Sequence, residues 1–69
     1  MKYKARYMPY DQDEVGEEYA YDTYEEAEQK YLELIDTQRY GVYQLEECYH
    51  DEPMPKACKI LAQTSIKEV

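Results

Sequence analysis

The sequence predicts an α+β fold, a small antiparallel sheet in ββαββ order with one amphipathic helix packed on one face. Three observations predict it. Residues 2–8 alternate with a period of two, residues 23–38 carry a capped helical stripe, and strand-type patterning returns after Gly41. The chain has 69 residues, enough for one small domain over 1–69, with no internal repeat. A domain of this size buries only about 60% of the surface its unfolded chain exposes, so its core is small.

In the first strand, "KYKARYM" sets Tyr3, Ala5 and Tyr7 on one face and Lys2, Lys4, Arg6 and Met8 on the other. Pro9 ends it, and "YDQDEVGEE" has the Asp and Gly content of a turn. "EYAYD" returns as a second strand, closing a hairpin. Asp22 and Thr23 are both suitable N-caps, each with a glutamate three residues on, Glu25 or Glu26. Behind them Tyr24, Ala27, Tyr31, Leu34 and Ile35 fall on one helical stripe, with Glu25, Glu26, Glu33 and Asp36 opposite. Glu26 and Lys30 have the i,i+4 spacing of a favourable pair. Gly41, near the helix end, lets the chain turn back.

"GVYQLEECYH" is a third strand with imperfect alternation, and "DEPMP" is a connector that continues neither strand nor helix. "ACKILAQTSIKEV" fits two patterns. A strand places Cys58, Ile60, Ala62, Thr64 and Ile66 on one face, with Lys59, Gln63, Ser65 and Lys67 on the other and Leu61 out of place; a helix groups Ala57, Ile60, Leu61 and Thr64. The nine-residue alternation favours the strand.

Ten of the chain's residues are tyrosine, with no Phe or Trp. Tyrosine supplies ring area while its hydroxyl still needs a polar partner, which suits half-buried sheet faces and binding surfaces. Sixteen acids against eight bases give a net charge of −8. That excludes direct binding to a nucleic-acid backbone, which needs clustered Lys and Arg, and disfavours an anionic membrane surface. The charge is concentrated: residues 10–36 hold eleven acids and one base, Lys30, a net of −10. Carboxylates four apart on a helix stand about 6 Å apart along its axis, comparable to neighbouring phosphates on one nucleic-acid strand.

Several chemistries are weighed against simpler explanations. Asp11, Asp13, Gly16 and Asp22 match positions 1, 3, 6 and loosely 12 of a calcium loop, but Val15 stands where an oxygen ligand belongs and Asp22 is shorter than the usual Glu. A hairpin turn accounts for the same residues. Cys48, His50 and Cys58 are three potential zinc ligands, but a closed site needs a fourth and the spacing matches no common module. The expectation is two free thiols, close enough to bridge under oxidation if the last strand pairs with the third. One histidine, one serine without an elbow motif, and only Gly16 and Gly41 leave little for nucleophilic catalysis or a phosphate loop. Neither an enzyme nor a cofactor nor a metal is expected. The start, "MKYKARYMPY", lacks the apolar core of a secretory signal, and a cytoplasmic location follows as the expectation.

In size and charge the chain resembles the small acidic proteins that phages and mobile elements use against host nucleic-acid-binding machinery, including DNA mimics and inhibitors of CRISPR complexes. No shared motif carries that likeness. What it implies is an inhibitor or modulator that docks an acidic, tyrosine-bearing face on a basic nucleic-acid-binding protein. The expected contact residues are Asp22, Glu25, Glu26, Glu33 and Asp36, with Glu17, Glu18 and Tyr19 at the rim. The alternative is a self-associating structural module, a homodimer for instance, whose acids only keep it soluble.

Overall fold

A computed structural model describes residues 2–49 and 57–67. The elements follow the expected order: β1 (Lys2–Pro9), β2 (Glu17–Tyr21), α1 (Tyr24–Asp36), β3 (Gly41–Tyr49) and β4 (Ala57–Ile66). The strands form a single antiparallel sheet ordered β2-β1-β3-β4, with the helix on one face. The connector expected over 51–55, and His50 before it, lie outside the described residues.

The alternation of β1 determines which side of the sheet is buried. Ala5 and Tyr7 point to the helix and are buried, and across β3 the register sets Leu45 and Tyr43 beside them. Ala27, Tyr31 and Leu34 close the core from the helix side. Tyr3, Tyr19, Tyr21, Ile35, Ala62 and Ile66 pack around its margin. A core built on tyrosine must satisfy its hydroxyls, and each reaches a partner at the edge of the layer. Tyr31 donates to Thr64 Oγ1 at 3.1 Å, Tyr43 to the Arg39 carbonyl at 2.6 Å, and Tyr7 to the Tyr40 carbonyl at 3.0 Å.

The helix begins at Thr23, whose Oγ1 accepts from the Glu26 amide at 3.3 Å while its hydroxyl donates to Glu26 Oε1 at 2.8 Å. Of the two candidate caps Thr23 therefore serves, and Asp22 instead pairs with Lys2. At the other end the turn is made by Gln38, in the left-handed region at φ 60°, with its amide donating to the Ile35 carbonyl at 3.0 Å. Gly41, expected to make that turn, already belongs to β3. It is glycine for a different reason: a Cβ there would lie 2.5 Å from the Met8 carbonyl and 2.6 Å from Tyr7 Cε1.

The last segment is a strand, but its faces differ from the simple alternation. Leu61 is an extra residue, since Leu45 pairs with Ala62 while Glu46 pairs with Ile60. This bulge reverses the sides of the strand beyond it. Ala62, Thr64 and Ile66 stay on the helix face with Leu45, Tyr43 and Gly41, whereas Ile60 and Cys58 lie with Glu46 and Cys48 on the opposite one. Cys48 and Cys58 are directly paired, with Cα atoms 4.1 Å apart, and form a disulfide. The expectation of free thiols is thus corrected to the bridged form, because the strand register brings the two side chains face to face.

Candidate functional site

Eight residues stand out by the charge pattern, and the fold distributes them over four places. Glu25, Glu26, Glu33 and Asp36 stand together on the outer face of α1, all exposed. At 100° per residue they fall within about 100° of arc, opposite the buried Ala27, Tyr31 and Leu34. Gln29 lies among them, and Leu32 flanks them with 57% of its surface exposed. Leu32 was not singled out by charge or by the buried stripe. An apolar residue projecting from the edge of an acidic face is visible only once the helix is built.

Glu18 lies on the other side of the molecule. Its place in β2 opposite Arg6 turns it to the face away from the helix, where it pairs with Lys4 at 2.7 Å and with Arg6 Nε at 3.6 Å. Arg6 also reaches Glu46, a carboxylate only 5% exposed, at 3.0 Å. Lys4 and Arg6, on the β1 face away from the helix, are therefore half-buried members of an ion-pair network.

Glu17 and Tyr19 face the helix side of β2. Tyr19 donates to Glu17 Oε1 at 2.5 Å, and Arg39 Nη1 meets Glu17 Oε2 at 2.5 Å. The Tyr19 hydroxyl, with the Arg39 guanidinium adding to it, holds the Glu17 carboxyl below the ordinary carboxylate range. The same hydrogen bond raises the Tyr19 hydroxyl. Lys30 turns to the Tyr19 ring, 4.3 Å from its centroid, rather than to Glu26, which is held by Thr23. Asp22 is lowered by its bond to Lys2, an exposed pair that contributes little to stability. Glu17, Glu18 and Asp22 are thus each answered by a cation of the same chain, while among the described residues no Lys or Arg pairs with Glu25, Glu33 or Asp36.

The fold adds a feature that no sequence motif signals. The β1–β2 turn and the α1–β3 loop face each other across a cleft of about 690 Å³, lined by Tyr10, Asp11, Glu14, Gln38, Arg39 and Tyr40. The Asp11 carboxylate accepts from the Asp13 amide at 2.9 Å, and the Glu14 amide donates to the Asp11 carbonyl at 3.2 Å, so these acids shape a turn. The buried Tyr7 hydroxyl lies beneath, shared between Glu14 Oε2 at 3.3 Å and the Tyr40 carbonyl. Burial pushes that hydroxyl up, and the Glu14 charge pushes it further.

No protein-family model matches this chain, and no curated protein or solved structure is significantly similar to it. The chemistry of its surfaces must therefore be read directly.

As a metal centre, the cysteine pair has one described neighbour, Glu46; the ligating atoms of Glu46, Cys48 and Cys58 lie within 4.8 Å of one another. With the sulfurs bonded to each other and Glu46 paired with Arg6, these groups are already engaged. His50, the third ligand of the zinc reading, is outside the described residues. Among the described residues no helix is long and apolar enough to cross a membrane.

Proposed function

We propose that this protein is a non-enzymatic interaction protein that docks the acidic outer face of α1 on a basic, nucleic-acid-binding partner, as an inhibitor or modulator of that partner. The observation that carries the reading is the charge at the C-terminal end of the helix. Glu33 and Asp36 occupy the last turn, which has no basic residue. The helix dipole favours cations there, and each acid so placed costs about 0.3–1 kcal/mol. Solubility alone would be served by acids anywhere on the surface, so their placement against the dipole favours a role outside folding.

Glu25, Glu33 and Asp36 extend along about 16 Å of the helix at 1.5 Å per residue, a length that spans several phosphates. Leu32 beside them offers apolar contact. A partner groove lined with Lys and Arg would meet both features. The reading places the protein in the cytoplasm, alongside such partners. Cys48 and Cys58 lie on the sheet face away from the helix, so docking is expected to be indifferent to whether their disulfide is intact or reduced.

The test compares the wild-type chain with Glu25→Lys/Glu33→Lys as baits in a bacterial lysate, with elution by rising salt and with competitor DNA. Glu26 is left intact because its carboxylate accepts from the hydroxyl of Thr23, the helix cap. Recovery of a nucleic-acid-binding protein that DNA displaces and that the double variant fails to capture supports the reading. Equal capture by both baits overturns it.

One observation favours a second reading, self-association. The outer strand β4 exposes Ile60 and Leu61, at 50% and 37%, and a sheet edge that no strand covers among the described residues invites pairing with another copy. Sedimentation separates the two: an apolar dimer persists at high salt, and a charge-driven complex dissociates.

A further inference from the structure

We infer that the cleft between the β1–β2 turn and the α1–β3 loop is a receptor for an arginine side chain of the partner. The inference rests on the reading of a basic partner given above and names a second point of contact, separate from the helix face.

Charge comes first. Among the lining residues Asp11 and Glu14 are negative, and the one cation, Arg39, has its charge answered by Glu17 at 2.5 Å. Arg39 is also held by the Tyr7 ring, 4.2 Å beneath its guanidinium, and its Nε donates to Thr37 Oγ1 at 3.0 Å. It therefore forms part of the wall rather than a counter-ion for the two acids. The cleft presents two negative charges to a visitor.

Shape and surface come second. Tyr10 and Tyr40, one from each loop, line the cleft with 49% and 52% of their surface exposed. Exposed tyrosine beside carboxylates suits a flat cation: the ring faces attract positive charge and the acids take its N–H donors. The protein already uses that combination within itself, where Arg39 lies over Tyr7 while pairing with Glu17. A guanidinium from outside would repeat it one layer further out. A lysine ammonium meets the charge requirement but not the planar one.

Preorganisation comes third. The two walls are 24 or more residues apart in sequence yet tied to a common point, since the Tyr7 hydroxyl contacts both Glu14 and the Tyr40 carbonyl. Gln38 holds a left-handed conformation at the rim. That conformation ends α1, with the Gln38 amide donating to the Ile35 carbonyl at 3.0 Å, and so sets where the α1–β3 wall begins.

The test is an NMR titration of the intact chain with the capped peptide acetyl-Gly-Arg-Gly-amide, and with its neutral citrulline counterpart. The expected result is saturable shifts of the Tyr10 and Tyr40 ring resonances with the arginine peptide, absent with citrulline. Tyr10→Leu/Tyr40→Leu, which alters exposed side chains, should weaken binding at least tenfold. Glu25→Lys/Glu33→Lys should leave it within twofold. Shifts confined to the helix face, equal shifts with citrulline, or no shift at either tyrosine would overturn the cleft assignment. If the peptide binds the cleft while the lysate experiment yields no DNA-displaced partner, the broader reading fails and the cleft stands. If partner capture depends on the helix acids while the cleft ignores the peptide, the reverse holds.

Discussion

Arg39 joins Glu17 at 2.5 Å while its guanidinium lies over the Tyr7 ring at 4.2 Å, so one side chain ties the edge strand β2 to the loop after α1 and to the core of β1. The pairing works because Arg39, half-buried, stacks on a ring that is fully buried, so its guanidinium is directed rather than free to sweep the solvent.

This contact makes stability depend on pH. The folded state holds Glu17 below its ordinary range, through Tyr19 first and Arg39 second. The unfolded chain titrates it near 4.3. The resulting stabilisation is complete above that unfolded value and is lost as pH falls through the lower folded one. Thermal melts of the wild type and Glu17→Gln should therefore differ at pH 7, with the gap closing as pH falls below the ordinary carboxylate range. A gap that stays constant across the range would mean that Glu17 contributes by packing alone.

The disulfide closes the chain between Cys48 and Cys58, ten residues apart. A loop of that length is expected to contribute roughly 2–3 kcal/mol by restricting the unfolded chain. In so small a domain this corresponds to a fall in Tm on the order of 10 °C or more on reduction. Melts with and without a reductant measure it, with Cys48→Ala/Cys58→Ala as a control that should not respond to the reductant.

Two substitutions at the cleft margin should act in opposite directions. Gln38 stands at φ 60°, and Gln38→Gly relieves a left-handed conformation that costs an L-residue about 1–2 kcal/mol, so Tm should rise. Gly41→Ala would drive a Cβ to 2.5 Å from the Met8 carbonyl, and overpacking of this kind typically costs about 1–3 kcal/mol. Denaturant unfolding of both variants checks the signs. A stabilising Gly41→Ala would show that β1 and β3 can separate there at little cost.

The helix is legible because its stripe and its cap are local: Ala27, Tyr31, Leu34 and Ile35 face the core and Thr23 with Glu26 caps it, whereas Tyr24, at the start of the same stripe, stays 38% exposed in the first turn. β1 was legible for the same reason. What the alternation could not reveal was neutralisation across strands. Glu18 loses its charge to Lys4 and Arg6 through the β1–β2 register, and Glu17 to an arginine 22 positions later. The acidic face therefore contracts to the helix. Leu61 was noticed as a misfit, and that misfit is the bulge, but period counting continued the same face past it and so misplaced Ile60 and Cys58. The cleft is not legible in the sequence, because Tyr10 and Tyr40 come to line one cleft only when the sheet sets the ends of β1 and β3 side by side.

The bulge at Leu61 has a consequence for anyone checking the alignment of β3 with β4. Were Leu61 paired in regular register with Glu46, Cys58 would fall opposite Tyr49 and project from the other side of the sheet to Cys48, and the two sulfurs would be separated by its thickness. The bond therefore records the pairing covalently. A non-reduced peptide map that recovers the fragments containing Cys48 and Cys58 as one species would report, by mass alone, that these two positions of β3 and β4 lie side by side.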